Sequence, residues 1–183
     1  MGDVPEVRVT YSPVFSNVGT DFGGPFLLKD RQTRNPKLIK AYMCLFICMS
    51  TKAVHIELVS ALTTDAFFAA FKRFVSRRGK PSNVYSDNGL NYVGANNELG
   101  KIYEFLKNNS EYIANQLIND KINWHFIPAR STSLGGIWEA GIKSAKFHVK
   151  RVIGENSLTF EQFGTVLAQI EGIFKFPSYL SYH

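Results

Sequence analysis

Apolar and polar positions divide the chain into runs with strand periodicity and runs with helix periodicity. Ser16 to Leu28, interrupted by Gly19, Gly23 and Gly24, reads as a first strand. Asp30 to Lys40 is polar and basic and fits a solvated connection. Two β-rich runs follow, Ala41 to Met49 and Ala53 to Val59, separated only by Ser50-Thr51-Lys52, which predicts a hairpin. In the second run Val54, Ile56 and Leu58 alternate with His55, Glu57 and Val59, so His55 and Glu57 share a face expected to be solvated or at an edge. Thr63-Thr64-Asp65 then opens a helix whose Phe67, Ala70, Phe71, Phe74 and Val75 fall on one stripe, and Gly79 and Pro81 stop it. Asn83 to Ser86 is a short strand expected to lie parallel to its neighbour, because a helix separates it from the strands before.

Beyond an Asn-rich loop, Leu99, Ile102, Tyr103 and Leu106 predict a helix ending at Asn108-Asn109, and Tyr112 to Ile118 a further short one. Ile122 to Ile127 reads as a fifth strand stopped by Pro128. Ala129 to Gly136 is read as a polar, flexible loop, Gly136 to Val152 as a helix, and Thr159 to Phe174 as the last helix. The pattern therefore predicts an α/β domain over 14–174, with a lead-in at 1–13 and an irregular tail at 175–183. Its five-stranded mixed sheet would hold three antiparallel strands and then two parallel ones, flanked by helices.

At 183 residues and 45% hydrophobic the chain can bury one sizeable core, which excludes a disordered protein. A net charge of +6 mildly favours a polyanionic partner. The two cysteines, Cys44 and Cys48, lie in an apolar run without a paired Cys/His ligand set, so they read as buried thiols of a reducing compartment. No secretory signal pattern and no apolar stretch of about 18 residues is present, so the expectation is a soluble intracellular protein with no membrane partner.

The candidate chemistry is acidic. Asp87 ends a short strand and is followed by Asn88-Gly89, turn chemistry that leaves its carboxylate at the carboxyl edge of the sheet, where sites are commonly built. Asp21 sits inside a strand, where a carboxylate is costly unless it is paired or holds a cation. Both also have plainer readings, a turn for Asp87 and local backbone hydrogen bonding for Asp21. Glu139 is the third acid. At 100° per residue Glu139, Lys143, Lys146 and Lys150 fall within about 60° of one another on the Gly136–Val152 helix. That face is either a solvated Glu/Lys surface or a metal ligand followed by a phosphate-contacting track. Three carboxylates from separate elements suit a hard divalent cation, which prefers oxygen ligands.

Four stretches carry a resemblance: Asn-Val-Gly-Thr-Asp-Phe-Gly-Gly-Pro-Phe around Asp21, Thr-Lys-Ala-Val-His-Ile-Glu-Leu-Val at 51–59, Arg-Arg-Gly-Lys-Pro-Ser-Asn-Val-Tyr-Ser-Asp-Asn-Gly through Asp87, and Gly-Gly-Ile-Trp-Glu-Ala-Gly-Ile-Lys-Ser around Glu139. In this order they resemble the integrase catalytic core of Pao/BEL-type LTR retrotransposons, over roughly Val14 to Glu171. The resemblance implies a ribonuclease H-like fold and a DDE triad of Asp21, Asp87 and Glu139 as both catalytic and metal-holding residues. It further implies magnesium or manganese as cofactor, Lys143, Lys146 and Lys150 as DNA-binding residues, element ends and target DNA as partners, self-association as a homodimer or higher oligomer, and a nuclear site of action. The sequence departs from the family pattern at Leu90 and Leu134. Two other functions remain open on the same scaffold: a catalytically silent DNA- or protein-binding module, and a simple nuclease.

Overall fold

A computed structural model describes residues 12–87, 108–109, 111–113, 115, 121–127, 132–154 and 156–174. The strands are β1 (Asn17–Lys29), β2 (Leu38–Cys48), β3 (Val54–Val59), β4 (Asn83–Asp87) and β5 (Asn123–Ile127), and the helices are α1 (Thr64–Arg78), α2 (Thr132–Ile153) and α3 (Phe160–Phe174). Their sheet has the order β3-β2-β1-β4-β5. β1 pairs antiparallel with β2 and β2 antiparallel with β3, whereas β4 lies parallel to β1 and β5 parallel to β4. This is the five-stranded mixed sheet that the pattern predicts. The helix expected over 99–106 and the loop preceding it lie outside the described residues, while 108–109, 111–113 and 115 are helical.

Two apolar layers sandwich the sheet. On one face α1 lays Phe67, Ala70, Phe71 and Phe74 over Val18, Phe22, Cys44 and Phe46. Its ends are those expected: the Thr63 hydroxyl accepts from the Ala66 N–H at 3.2 Å, and Gly79, at φ 89°, donates its N–H to the Val75 carbonyl. On the other face α2 and α3 bring Trp138, Ile142, Ala145, Val149, Phe163, Leu167 and Ile170 over Leu28, Met43, Leu45, Ile47, Val54 and Ile56. Both cysteines are buried free thiols; Cys44 lies entirely within the core and its desolvation pushes its pKa well above the ordinary thiol value. Among the described residues no helix is long and apolar enough to cross a membrane.

Three expectations are corrected. β2 begins at Leu38, so it takes up the end of the segment read as a solvated connection, and Leu38 to Lys40 pair with Leu27 to Lys29. α2 begins at Thr132, so the second half of the segment read as a flexible loop, Thr132 to Gly136, is helical. Serine, threonine and glycine lower helix propensity by only fractions of a kcal/mol to about 1 kcal/mol each, less than packing of the following apolar turns can offset.

The third correction concerns His55 and Glu57. They are 1% and 5% exposed, buried beneath α1 rather than solvated. β3 is an edge strand, but α1 covers this face of it, and alternation alone does not reveal what covers an edge. His55 lies between two carboxylates, with Nε2 2.9 Å from Glu57 Oε1 and Nδ1 3.1 Å from Glu171 Oε2. Arg73 Nε donates to Glu57 at 2.5 Å, Arg77 donates to it at 3.0 Å, and Arg78 pairs with Glu171. Glu171 also accepts the Ile56 main-chain N–H at 2.9 Å, so a carboxylate from α3 satisfies a backbone donor of the edge strand.

Candidate active site

The site begins with how α2 sits on the sheet. Trp138 is buried against Gly19, where a Cβ would lie 2.5 Å from Trp138 Cε3, so no larger residue fits there without moving the indole. A Cβ on Gly141 would come within 2.9 Å of Leu45 Cδ2, and Leu45 is the cross-strand partner of Asp21. Ile142 Cδ1 lies 3.3 Å from the corresponding point on Gly23. Contacts thus advance from 19 to 23 along β1 as they advance from 138 to 142 along α2, and helix and strand run in the same direction. Gly19, Asp21 and Gly23 share one face of β1 by the two-residue repeat. Asp21 therefore stands under the 138–142 turn of α2, with Glu139 exposed on the flank of that turn.

Asp21 is half-buried, and its Oδ1 accepts the Phe22 N–H at 2.8 Å. The neighbouring Thr20 faces the opposite layer, with Oγ1 3.8 Å from Cys44 Sγ. In the parallel pairing of β1 with β4, Thr20 stands beside Ser86. Asp21 and Asp87 each follow by one residue, at corresponding places on adjacent strands, which are spaced about 4.8 Å apart. Asp87 pairs in turn with Ile127 of β5. The end of β4 is fixed from below by buried Ser86, whose Oγ accepts from Trp124 Nε1 at 3.0 Å. Tyr85 stacks on His125 with ring centroids 4.7 Å apart, and burial raises its phenol pKa.

The Asp87 side chain lies outside the described residues, as do Leu90 and the Leu134 side chain. Among the described residues, no group of three His, Cys, Asp or Glu side chains is disposed to hold a metal ion. The backbone nevertheless puts positions 21 and 87 at corresponding places on adjacent parallel strands, and α2, which carries Glu139, packs over β1 through Trp138 and Ile142. Asp and Glu supply the hard oxygen donors that magnesium and manganese prefer, so the residue types at these positions fit such an ion.

The lysine face extends away from Glu139. Lys143 and Lys150 are exposed and Lys146 is half-buried, on the border of the Trp138, Ile142, Ala145 and Val149 stripe. Ile137, Trp138, Ala145 and Val149 turn inward, but Phe147 (59% exposed) and Val152 (55%) lie on the outer side of the helix. Sequence reasoning missed the second concavity, a groove of about 780 Å³ between α1 and α3 over the β3 edge, lined by the His55, Glu57, Glu171 and arginine network. Its only signal in the sequence is the set Arg73, Arg77 and Arg78 on one helix opposite two ionisable residues in a strand.

Sheet order, strand directions and flanking helices define a ribonuclease H-like fold of the integrase-core kind. Among solved structures, a chain of the simian T-cell lymphotropic virus intasome in complex with PP2A regulatory subunit B56 gamma is similar over 91% of this chain, with a TM-score of 0.58 and 16% identity. The magnesium-bound HTLV-2 integrase catalytic core domain is similar in its dimeric form (TM-score 0.51) and its trimeric form (0.50), each at 15% identity and over 85% of this chain. These matches cover 85% and 84% of the HTLV-2 core chains, whereas the chain spans about half, 52%, of the intasome chain. No protein-family model and no curated protein matches the sequence.

Proposed function

We propose that this chain is the catalytic core of a retroelement integrase, of the Pao/BEL type, acting as a metal-dependent polynucleotidyl transferase on DNA. The features that support it most are the corresponding places of Asp21 and Asp87 on two parallel strands and the packing of the helix that carries Glu139 over β1, in an integrase-core fold. Asp21, Asp87 and Glu139 are the residues that would hold magnesium or manganese. When bound, such cations supply Lewis acidity, making water or a DNA 3′-hydroxyl a nucleophile and offsetting charge at the attacked phosphate. The HTLV-2 core structures in complex with magnesium are in keeping with this cofactor.

The chain's own residues do the positioning. Trp138 and Gly141 seat α2 on the sheet, so Glu139 is presented from a rigid helix rather than a loop. Lys143, Lys146 and Lys150, at i, i+3 and i+7, offer ammonium groups to successive phosphates of a DNA strand laid along α2. The reaction class is trimming of a DNA 3′ end followed by joining of that end to target DNA. Self-association as a dimer or larger oligomer and a nuclear site of action belong to the same proposal, and neighbours solved in dimeric and trimeric forms support the first.

The test is strand transfer by the purified chain, with magnesium, from a pre-trimmed DNA end. Asp87→Asn should abolish joining while leaving the melting temperature without metal unchanged within about 2 °C, because the exchange removes charge and adds no bulk. Joined product from Asp87→Asn at the wild-type rate would overturn the triad. Cutting without joining by the wild type would point to a nuclease, and no metal-dependent product at all to a silent binding module.

A further inference from the structure

The lysine face leads into a cavity whose apolar interior the triad and the phosphate track do not use. It encloses about 210 Å³ between the end of β1, the last two turns of α2 and the connection into α3. Leu28, Val149 and Phe163, all buried, form its floor, and the Phe26 ring packs on Phe163 with centroids 4.8 Å apart. Its wall is held by main chain: Lys29 N–H donates to the Leu158 carbonyl at 2.8 Å, and Lys29 bridges to Thr159. Lys146 and Lys150 line its mouth, one turn apart on α2.

An apolar chamber beneath two ammonium groups matches a ligand with a flat, weakly polar body and an adjacent anion. The volume exceeds the roughly 150 Å³ of an apolar cavity that admits a benzene ring, so one ring system of nucleobase size is accommodated. Lys146 is shared between the cavity and the Glu139 helix face. A strand whose phosphates follow that face therefore arrives at the mouth with its base able to turn inward. Asn156 also lines the opening; its Nδ2 donates to the Ile153 carbonyl at 3.2 Å, and its Oδ1 and second N–H can meet the hydrogen-bonding edge of a base that the apolar walls cannot satisfy. We infer that the cavity bordered by Phe26, Phe163, Ile153 and Leu158 captures an unpaired base from a single-stranded stretch of DNA, while Lys146 and Lys150 hold the phosphates flanking it. This rests on the proposed DNA-binding function and adds to it a selectivity for ends that carry a single-stranded tail.

The experiment compares binding of the full chain to a blunt duplex and to the same duplex with a short single-stranded tail carrying 2-aminopurine. Capture of one base should favour the tailed DNA by at least about fivefold, the lower end of what one base stacked on protein contributes, and should change the 2-aminopurine fluorescence. Ile153→Trp, at the half-buried end of α2, should fill the chamber and abolish both effects while leaving blunt-duplex affinity within about twofold. Ile153→Met, close to isoleucine in volume, should keep both and serves as the folding control. Equal affinity for the two DNAs, or an Ile153→Trp protein that retains the preference, overturns the inference and leaves the DNA-binding function standing. Failure of the wild type to bind either DNA overturns that function itself.

Discussion

Glu171→Gln is predicted to be the most damaging single charge change outside the triad. The carboxylate is nearly buried and has three partners among the described residues: the Ile56 N–H at 2.9 Å, His55 Nδ1 at 3.1 Å and the Arg78 guanidinium. A glutamine offers one acceptor oxygen where the carboxylate offered two, and its amide N–H groups face donors. At most one or two of the three partners stay satisfied, and Arg78 loses its counter-charge. Breaking a buried pair typically costs about 3–5 kcal/mol; Arg78 is 23% exposed and is partly screened, which brings the expectation to about 2–3 kcal/mol. For a domain of this size that corresponds to a melting temperature lower by about 4–12 °C.

The pH dependence carries a second signature. Burial works against charge on His55, but hydrogen bonds and charge from Glu171 and then Glu57 outweigh it and raise the pKa above its ordinary 6.5. A raised histidine pKa contributes stability that is fully present below 6.5 and is lost as pH rises through the raised folded value. For Glu57, burial likewise opposes charge, but His55 and Arg73 outweigh it and lower the pKa below 4.5. That contribution is present above 4.5 and is lost as pH falls through the lowered value. The network is at full strength between about pH 4.5 and 6.5. Thermal melts of wild type and Glu171→Gln from pH 5 to pH 9 should therefore show the largest gap near pH 5–6, narrowing toward alkaline pH. A variant melting within about 1 °C of wild type, or two parallel pH profiles, would refute the proposed role of Glu171 at this edge.

Two further predictions concern the helix that carries Glu139. Gly19→Ala places a methyl group 2.5 Å from the Trp138 ring, so it should cost about 1–3 kcal/mol in denaturant unfolding and lower strand transfer by shifting α2; an unchanged unfolding midpoint would show that the ring relocates freely. Replacing Lys143 and Lys146 together with Glu should weaken DNA binding and reduce the slope of log affinity against log salt by about 0.9 for each phosphate that the chain no longer neutralises, and an unchanged slope would remove both residues from the track.

Legibility from the sequence differs residue by residue. Thr63 and Gly79 bound α1 because a cap hydroxyl and a positive-φ glycine act within a few residues of chain. The strand β4 over Asn83–Asp87 was likewise legible in a short β-prone run. The start of α2 was not, since Thr-Ser-Leu-Gly-Gly has loop composition and becomes helical where the later turns of α2 dock on β1 and β2. His55 and Glu57 fit the alternation of an exposed edge. Only the return of α3 brings Glu171, 114 residues beyond Glu57, onto the same network as the α1 arginines.

The sequence by itself determined most of the described elements, the acidic residue types and the shared helix face of Glu139 with three lysines, because periodicity and capping depend on near neighbours. Tertiary structure alone decided that Thr20 meets Ser86 across two strands, that Gly19 receives Trp138, and that a buried ionic cluster closes one sheet edge. Those depend on which distant surfaces exclude water together, and a linear pattern carries no record of that.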